Sequence, residues 1–280
     1  MLRKDHHPNL DFFIADLTTW SLKDDQASME HPMFSLAKSP DITIRHYEHN
    51  GNTITITPSV LGLPTIWDKD ILIYCCSQLV EGIKQGREPK QVVQLTAYDL
   101  LICTNRSTGK RGYQLLKQAL ERLAGVRITT NIVTGSVRVH EGFGLLEWWR
   151  IIEKSPVDSR MVRLEVKLSD WLYRAITSLE VLTLDRDYFR LDGGIERRIY
   201  ELCRKHCGHQ PVWSIHLPLL HKKSGSAAPL KKFRSTIKKL TESNHLPDYR
   251  LRYTNEDDKL TVYLRSHKGG LRELKDVLGL

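Results

Sequence analysis

The chain has 280 residues, 40% of them apolar, which suits two domains of ordinary size and excludes wholesale disorder. A formal net charge of +9 and a pI near 9.3 point to nucleic acid or an anionic surface as partner. No apolar run reaches the ~18 residues of a membrane span, and five cysteines without an export signal read as reduced thiols in a cytoplasm.

In chain order, residues 1–32 mix charges with DFFIADL and read as a flexible N-terminal arm. HYEHNGNTITITP predicts a hairpin turning at Asn50-Gly51, with Ile54 and Ile56 alternating onto one face. Asp68–Gln85 predicts a helix that carries Ile71, Leu72, Leu79 and Ile83 to a core and ends at Gly86. VVQLTAYDLLICTNRSTGKRGYQLLKQALERLAG then predicts a short strand, a short helix from Thr96, the polar turn NRSTG and a longer helix ending at Gly125. Leu116, Leu120 and Leu123 form the apolar stripe of that longer helix. VRITTNIVTGSVRVHEGFGLL follows as a hairpin about Thr134-Gly135. Strand, helix, turn, helix and hairpin in this order make a winged helix-turn-helix.

EKSPVDSR, Glu153 to Arg160, reads as a domain boundary. Beyond it VRLEVKL predicts a strand, SDWLYRAI a helix capped by Ser169, and GGIERRIYELCRKHCG a helix with Ile195, Ile199, Leu202 and Cys203 inward. The first plan then recurs. VWSIHLPLLHKKSGSAAPLKKFRSTIKKLTESN gives a short strand, a short helix, the turn KKSGSAA and a basic helix beginning near Pro229. YRLRYTNEDDKLTVYLR gives a second hairpin about NEDD. Leu116, Leu120 and Leu123 map onto Phe233, Ile237 and Leu240, so the duplication is one of architecture. The expected fold class is α+β with two tandem winged helix-turn-helix domains, at 33–155 and 161–265, and a C-terminal tail at 266–280.

The charge is concentrated in the second copy. Between Trp213 and Arg252 there are nine Lys/Arg against Glu242 and Asp248. On the helix Lys231–Leu240 the apolar stripe of Phe233, Ile237 and Leu240 is opposed by Lys231, Lys232, Arg234, Lys238 and Lys239. In a winged helix-turn-helix this second helix enters the major groove, and its cations neutralise phosphates. The expected DNA contacts in the C-terminal module are Lys222, Lys223, Ser226, Lys231, Lys232, Arg234, Ser235, Lys238 and Lys239, with Arg250 and Arg252 on its wing. In the N-terminal module they are Arg106, Lys110, Arg111, Gln114 and Lys117, with Arg127 and Arg138 on the wing. Arg234 is expected to read guanine bidentately, because its planar fork matches two acceptors on one base edge. The C-terminal module is expected to supply most of the affinity, and a fragment from about Met161 to bind by itself.

Catalytic chemistry is not evident. No phosphate-cradling G-x-x-x-x-G-K-[ST] occurs, since Thr104 stands five residues before Gly109. His6-His7-Pro8 lacks the strand a metal-dependent nicking site would need, and Cys203, His206, Cys207 and His209 have no second ligand pair at zinc-finger spacing. The four residues Trp148, Trp149, Trp171 and Trp213 read as core or sheet residues. No catalytic residue, metal or cofactor is assigned, and the chain is expected not to be an enzyme.

HPMFSLAKSPD, IRHYEHNGNTITITPSVLGLPTIWDKDILIYCCSQL, LTAYDLLICTNRSTG, ALERLAGVRITTNI, VLTLDRDYFRL, ERRIYELCRKHCG and LHKKSGS together resemble the replication initiator protein A family of bacterial plasmids. The resemblance runs from about His31 to Leu264 and stops before the tail. It implies a bacterial cytoplasmic protein, associated with plasmid and nucleoid, that binds iteron repeats in a plasmid origin and opens it. It further implies control of plasmid copy number and recruitment of host replication proteins such as the replicative helicase and the chromosomal initiator. A homodimer through the N-terminal domain is implied as well, with the IRHYEHNGNTITIT hairpin and the arm as contact surfaces. A winged-helix transcriptional repressor is the alternative; it would need a ligand or partner domain for which the chain has little room.

Overall fold

The arm expected over residues 1–32 is in part built into the fold. In the computed structural model, which describes residues 2–6, 21–49, 51–132, 136, 140–153 and 161–279, Leu22–Asp25 form strand β1 and Gln26–Glu30 a short helix α1. Expectations placed on residues 7–17, Asn50, Thr134–Gly135, Arg138 and residues 154–160 lie outside the described residues. Burial is the reason for the order: Met29, Met33 and Phe34 are at most 4% exposed, and Asp24 makes a buried ion pair of 2.6 Å with Lys69.

The chain divides into two units. One is Asp5–Gln26 with Ala37–Thr183; the other is Met1–Lys4 and Ala27–Leu36 with Leu184–Leu280. The first unit continues through strands β2 (Arg45–His49) and β3 (Asn52–Thr57) to helix α2 (Lys69–Lys84). Ile71, Leu72, Ile73, Tyr74, Cys75 and Cys76 are all buried, so α2 is enclosed on more faces than the one expected. Gly86 follows at φ +74, a left-handed position that glycine adopts without strain. Then come β4 (Val92–Leu95), α3 (Ala97–Cys103), α4 (Lys110–Gly125), β5 (Arg127–Thr130) and β6 (Glu141–Phe143). Strands β7 (Leu146–Glu153) and β8 (Met161–Leu168), helix α5 (Asp170–Thr177) and strand β9 (Val181–Leu184) complete it. Ser169 caps α5 as the sequence suggests, and Thr96 caps α3, each accepting a backbone N–H.

Strand pairing extends one expectation and corrects another. The order β2-β3-β5-β6, with Ile56 opposite Ile128, makes the first hairpin part of the same sheet as the strands after α4. The expected boundary at Glu153–Arg160 falls between paired strands: β8 lies antiparallel to both β7 and β4, with Val166 opposite Trp149 and Val93. Domains divided at 155 and 161 would separate β8 from both neighbours. The unit therefore runs on to Thr183.

In the second unit a 3-10 turn at Arg186–Arg190 leads into α6 (Gly194–His206). Strand β10 (Val212–His216), helices α7 (Leu217–Ser224) and α8 (Leu230–Ser243), and strands β11 (Tyr249–Thr254) and β12 (Lys259–Leu264) follow. The sheet order is β10-β12-β11, with Leu260 between Ile215 and Tyr253. The presumed tail is helix α9 (His267–Leu278), capped by Ser266 and joined to β12 by a 2.7 Å hydrogen bond from the Tyr263 hydroxyl to Asp276. Because α9 packs on β12, the unit extends beyond residue 265.

One side chain ties Ala27–Leu36 to two helices of this unit, beside the apolar burial of Met29, Met33 and Phe34. The α6 residue Arg198, 3% exposed, donates from Nη1 to the carbonyls of Ser28 (3.0 Å) and Met29 (2.9 Å). Its Nη2 donates to the carbonyls of Glu30 (3.0 Å) and Lys223 (2.9 Å). The C-terminal carbonyls of a helix have no intrahelical donors, and here a guanidinium supplies them for both α1 and α7. Glu201, 1% exposed, balances the charge at 3.0 Å. Lys223 also pairs with Glu30 at 2.7 Å. At the other end of the segment, a Cβ on Gly194 would lie 2.3 Å from the Leu36 carbonyl oxygen, so only glycine admits this approach.

The fragment expected to stand alone changes accordingly. A chain beginning at Met161 lacks residues 27–36 and leaves Arg198 and Glu201 without their surroundings. Such a fragment should show no cooperative melting transition by circular dichroism. In the full chain Arg198→Ala should cost about 3–5 kcal/mol in denaturant unfolding, since it leaves a buried carboxylate and several carbonyls unpaired. A loss below 1 kcal/mol would mean that apolar contacts alone hold the segment.

Candidate nucleic-acid interface

Helix α8 has two faces. Phe233, Ile237 and Leu240 are at most 4% exposed, as their spacing requires, while Lys231, Lys232, Ser235 and Lys239 are exposed. Helix α7 ends at Gly225, φ +69, and Lys222 is exposed on its last turn. The turn to α8 is braced by side chains. The His221 ring nitrogen meets the Ala228 carbonyl at 2.8 Å, and the ring lies 4.9 Å from that of Phe233. The Ser226 hydroxyl accepts from the Ala228 N–H at 3.3 Å, so this expected DNA contact also has a turn-capping task.

Four expected contacts have partners inside the protein. Arg106 pairs with Asp70 at 2.9 Å and also donates to the Trp67 carbonyl, which makes it a brace between the α3–α4 turn and α2. Lys223 is held by Glu30, as described above. Arg250 lies 3.2 Å from Glu273 of α9. Arg234 does not stand with an open fork: Nε donates to Asp258 Oδ1 at 2.9 Å and Nη2 to Oδ2 at 2.7 Å. The Tyr253 hydroxyl donates to the same carboxylate, and the Lys238 ammonium sits 5.2 Å above the Tyr253 ring. Hydrogen bonds from Arg234 hold the Asp258 carboxyl down to about 2, so it is ionised at neutral pH. Arg252 is exposed at the base of hairpin β11–β12, whereas its tip presents Asn255, Glu256 and Asp257.

In the first unit α3, a polar turn and α4 repeat this plan. Lys110, Arg111, Gln114 and Lys117 are exposed on α4, and Arg127 is exposed on β5. A Cβ on Gly112 would lie 1.8 Å from the Ser107 carbonyl oxygen, so glycine permits the turn to fold closely onto α4. Arg122 faces inward to Asp68 at 2.7 and 2.9 Å. The exposed face also carries Leu115, which is 47% exposed.

Sequence reasoning missed Asp258, Tyr253, Asn244 and Arg198. Asn244, at φ +43, accepts from the Leu251 N–H at 3.0 Å and donates to its carbonyl at 3.2 Å, joining the end of α8 to β11. The usable signal was an Asn after a helix and an Asp closing a tight turn, both residue types that tolerate positive φ. Among the described residues no group of three or more His, Cys, Asp or Glu could hold a metal ion, and no helix is long and apolar enough to cross a membrane. Cys203 and Cys207 are buried, and burial pushes the Cys207 thiol up to about 11. Trp171 is buried against Phe143, and Trp213 stacks on His206, each at 5.1 Å between ring centroids.

A mixed α/β chain with a cationic second helix after a short helix and turn suits a polyanionic partner. Its family is narrower: residues 23–251 match Replication initiator protein A, and the chain belongs to that family. A protein of Wigglesworthia glossinidia brevipalpis described as "Putative replication protein" is 39% identical over 258 residues, 91% of this chain and 94% of that one. Domains 2 and 3 of RctB share the fold at a TM-score of 0.63 and 9% identity, covering 85% of this chain and 98% of theirs. A second RctB structure of domains 2–3 matches at a TM-score of 0.59 and 9% identity, over 88% of this chain and 99% of that one.

The two faces of α8 should respond oppositely to truncation. Phe233→Ala should cost about 3–5 kcal/mol in denaturant unfolding, while Lys232→Ala and Lys239→Ala should each stay within about 0.5 kcal/mol. Equal losses would place the lysines in the packing.

Proposed function

We propose that the chain initiates plasmid replication by binding iteron repeats in the origin as double-stranded DNA, through two winged helix-turn-helix modules. In this reading α4 and α8 are the recognition helices, and β11–β12 is the wing of the second module. The observation that carries it is the exposed row of Lys231, Lys232 and Lys239 on α8, set over a buried apolar face. Lys222, Ser235 and Arg252 extend the row. In the first module Lys110, Arg111, Gln114, Lys117 and Arg127 would make fewer phosphate contacts and set register. Family membership supports a role in origin opening and in recruitment of host replication proteins, and no catalytic step of the chain's own is assigned. Self-association through the first unit would use β2, the terminal strand of its sheet.

Footprinting the full chain on the origin of its own replicon should give periodic protection over repeated sites. Uniform protection, or none, would sink the proposal. Lys232→Ala and Lys239→Ala should weaken origin and random DNA alike, and each should flatten the log–log salt slope by about one unit. An unchanged slope would mean that these lysines do not meet phosphates.

A further inference from the structure

An ionised acid on the face proposed for a polyanion raises the electrostatic cost of binding, so its other contacts matter. Asp258 touches three parts of the second unit. Its carboxylate takes both arms of the Arg234 fork from α8. The same carboxylate accepts the Tyr253 hydroxyl of β11. Its backbone carbonyl accepts the N–H of Leu217, the first residue of α7, at 2.8 Å. The residue adopts φ +45 at the end of the tight turn, a conformation that Asp and Asn tolerate better than most side chains. Asn244 joins the middle of strand β11 to the C-terminus of α8 through Leu251. The hairpin is thus fastened to the second helix at two points, one midway along β11 and one beside its tip. Breaking the tip fastening leaves the other in place, so the tip can shift against α8 without the unit unfolding.

Resting on the DNA-binding reading above, we propose that Asp258 is a positioning residue for sequence discrimination, and that its bonds to Arg234 hold the hairpin in register with α8. The carboxylate takes the Nε–Nη2 edge of the guanidinium, so that edge is committed to the hairpin. Discrimination then depends on the relative placement of hairpin and helix. Random-DNA affinity depends on the exposed lysines, which do not touch the cluster.

The test is a double-mutant cycle in the full chain, with Asp258→Asn, Arg234→Gln and both together, read as affinity for origin DNA over random DNA. Asparagine keeps the shape and tolerates the positive φ, so folding should hold by circular dichroism. Each single change should lower the origin-to-random ratio by about tenfold, and the double change should do no more than either alone. Random-DNA affinity should rise or hold for Asp258→Asn, because an anion has been removed. Tyr253→Phe, which removes only the hydroxyl bond to Asp258, should give a smaller loss in the same direction and decides the matter if Asp258→Asn melts early. A ratio lost in Arg234→Gln but kept in Asp258→Asn would assign the reading of bases to Arg234 and overturn the proposal. Losses that multiply in the double variant, or parallel losses on origin and random DNA, would also overturn it. If the unaltered chain shows no preference for origin DNA, the DNA-binding reading fails and this inference falls with it.

Discussion

The Arg198 guanidinium is the interaction on which the second unit depends. It gathers carbonyls from residues 28–30 and from Lys223, and these lie about as far apart in the chain as the structure allows. A lysine could not replace it: a point charge cannot aim two planar amino groups at carbonyls of two different helices. The burial is tolerable only because Glu201 neutralises the charge and accepts the Tyr188 hydroxyl at 2.7 Å. With the end of α7 fixed this way, the turn to α8 starts from a set place, and the orientation of the basic helix follows.

The two copies of the helix-turn-helix spend their cations differently. In the first, Arg106 and Arg122 turn inward to Asp70 and Asp68 at the N-terminal end of α2, so basic residues brace the packing. In the second, Arg234 turns to Asp258 of the hairpin, while Lys231, Lys232 and Lys239 stay exposed. Each helix keeps three exposed cations, Lys110, Arg111 and Lys117 on α4 and those three lysines on α8. Surface ion pairs contribute little to stability, but a buried or half-buried partner redirects a cation from solvent to the core. Charge counts therefore overstated the basic face of both helices, by Arg122 on α4 and Arg234 on α8.

What was legible in the sequence is what local periodicity controls. The α8 stripe of Phe233, Ile237 and Leu240, the cap Ser169, and the helix-turn-helix order in both copies all depend on residues within a turn or two of each other. Pairings between distant residues were not legible. EKSPVDSR has the composition of a linker, and nothing local reveals that Leu164 and Val166 pair with strands on both sides. The hairpin at Asn52–Thr57 gives no local sign that β5 continues its sheet. Arg234 was read from its place on the helix alone, but its partner lies 24 residues later in a turn whose acids looked like ordinary solvated turn residues.

The capture of residues 27–36 also constrains how the chain folds. Hydrogen bonds from Arg198 span up to 170 residues, so the second unit cannot finish on local contacts alone. During synthesis the captured segment emerges first and its receiving helix α6 far later. The first unit has all its strands by Thr183, and can fold before α6 exists. In the interval Met29, Met33 and Phe34 lack the burial they have in the finished unit. Closure of α6 over them removes that exposed surface in the same step that sets the carbonyl of Lys223 and hence α7. The fold thereby couples completion of the basic helix-turn-helix to the presence of an intact N-terminal segment. A chain without residues 27–36 would lack an ordered α8 face, even though every lysine of that face remained in its sequence.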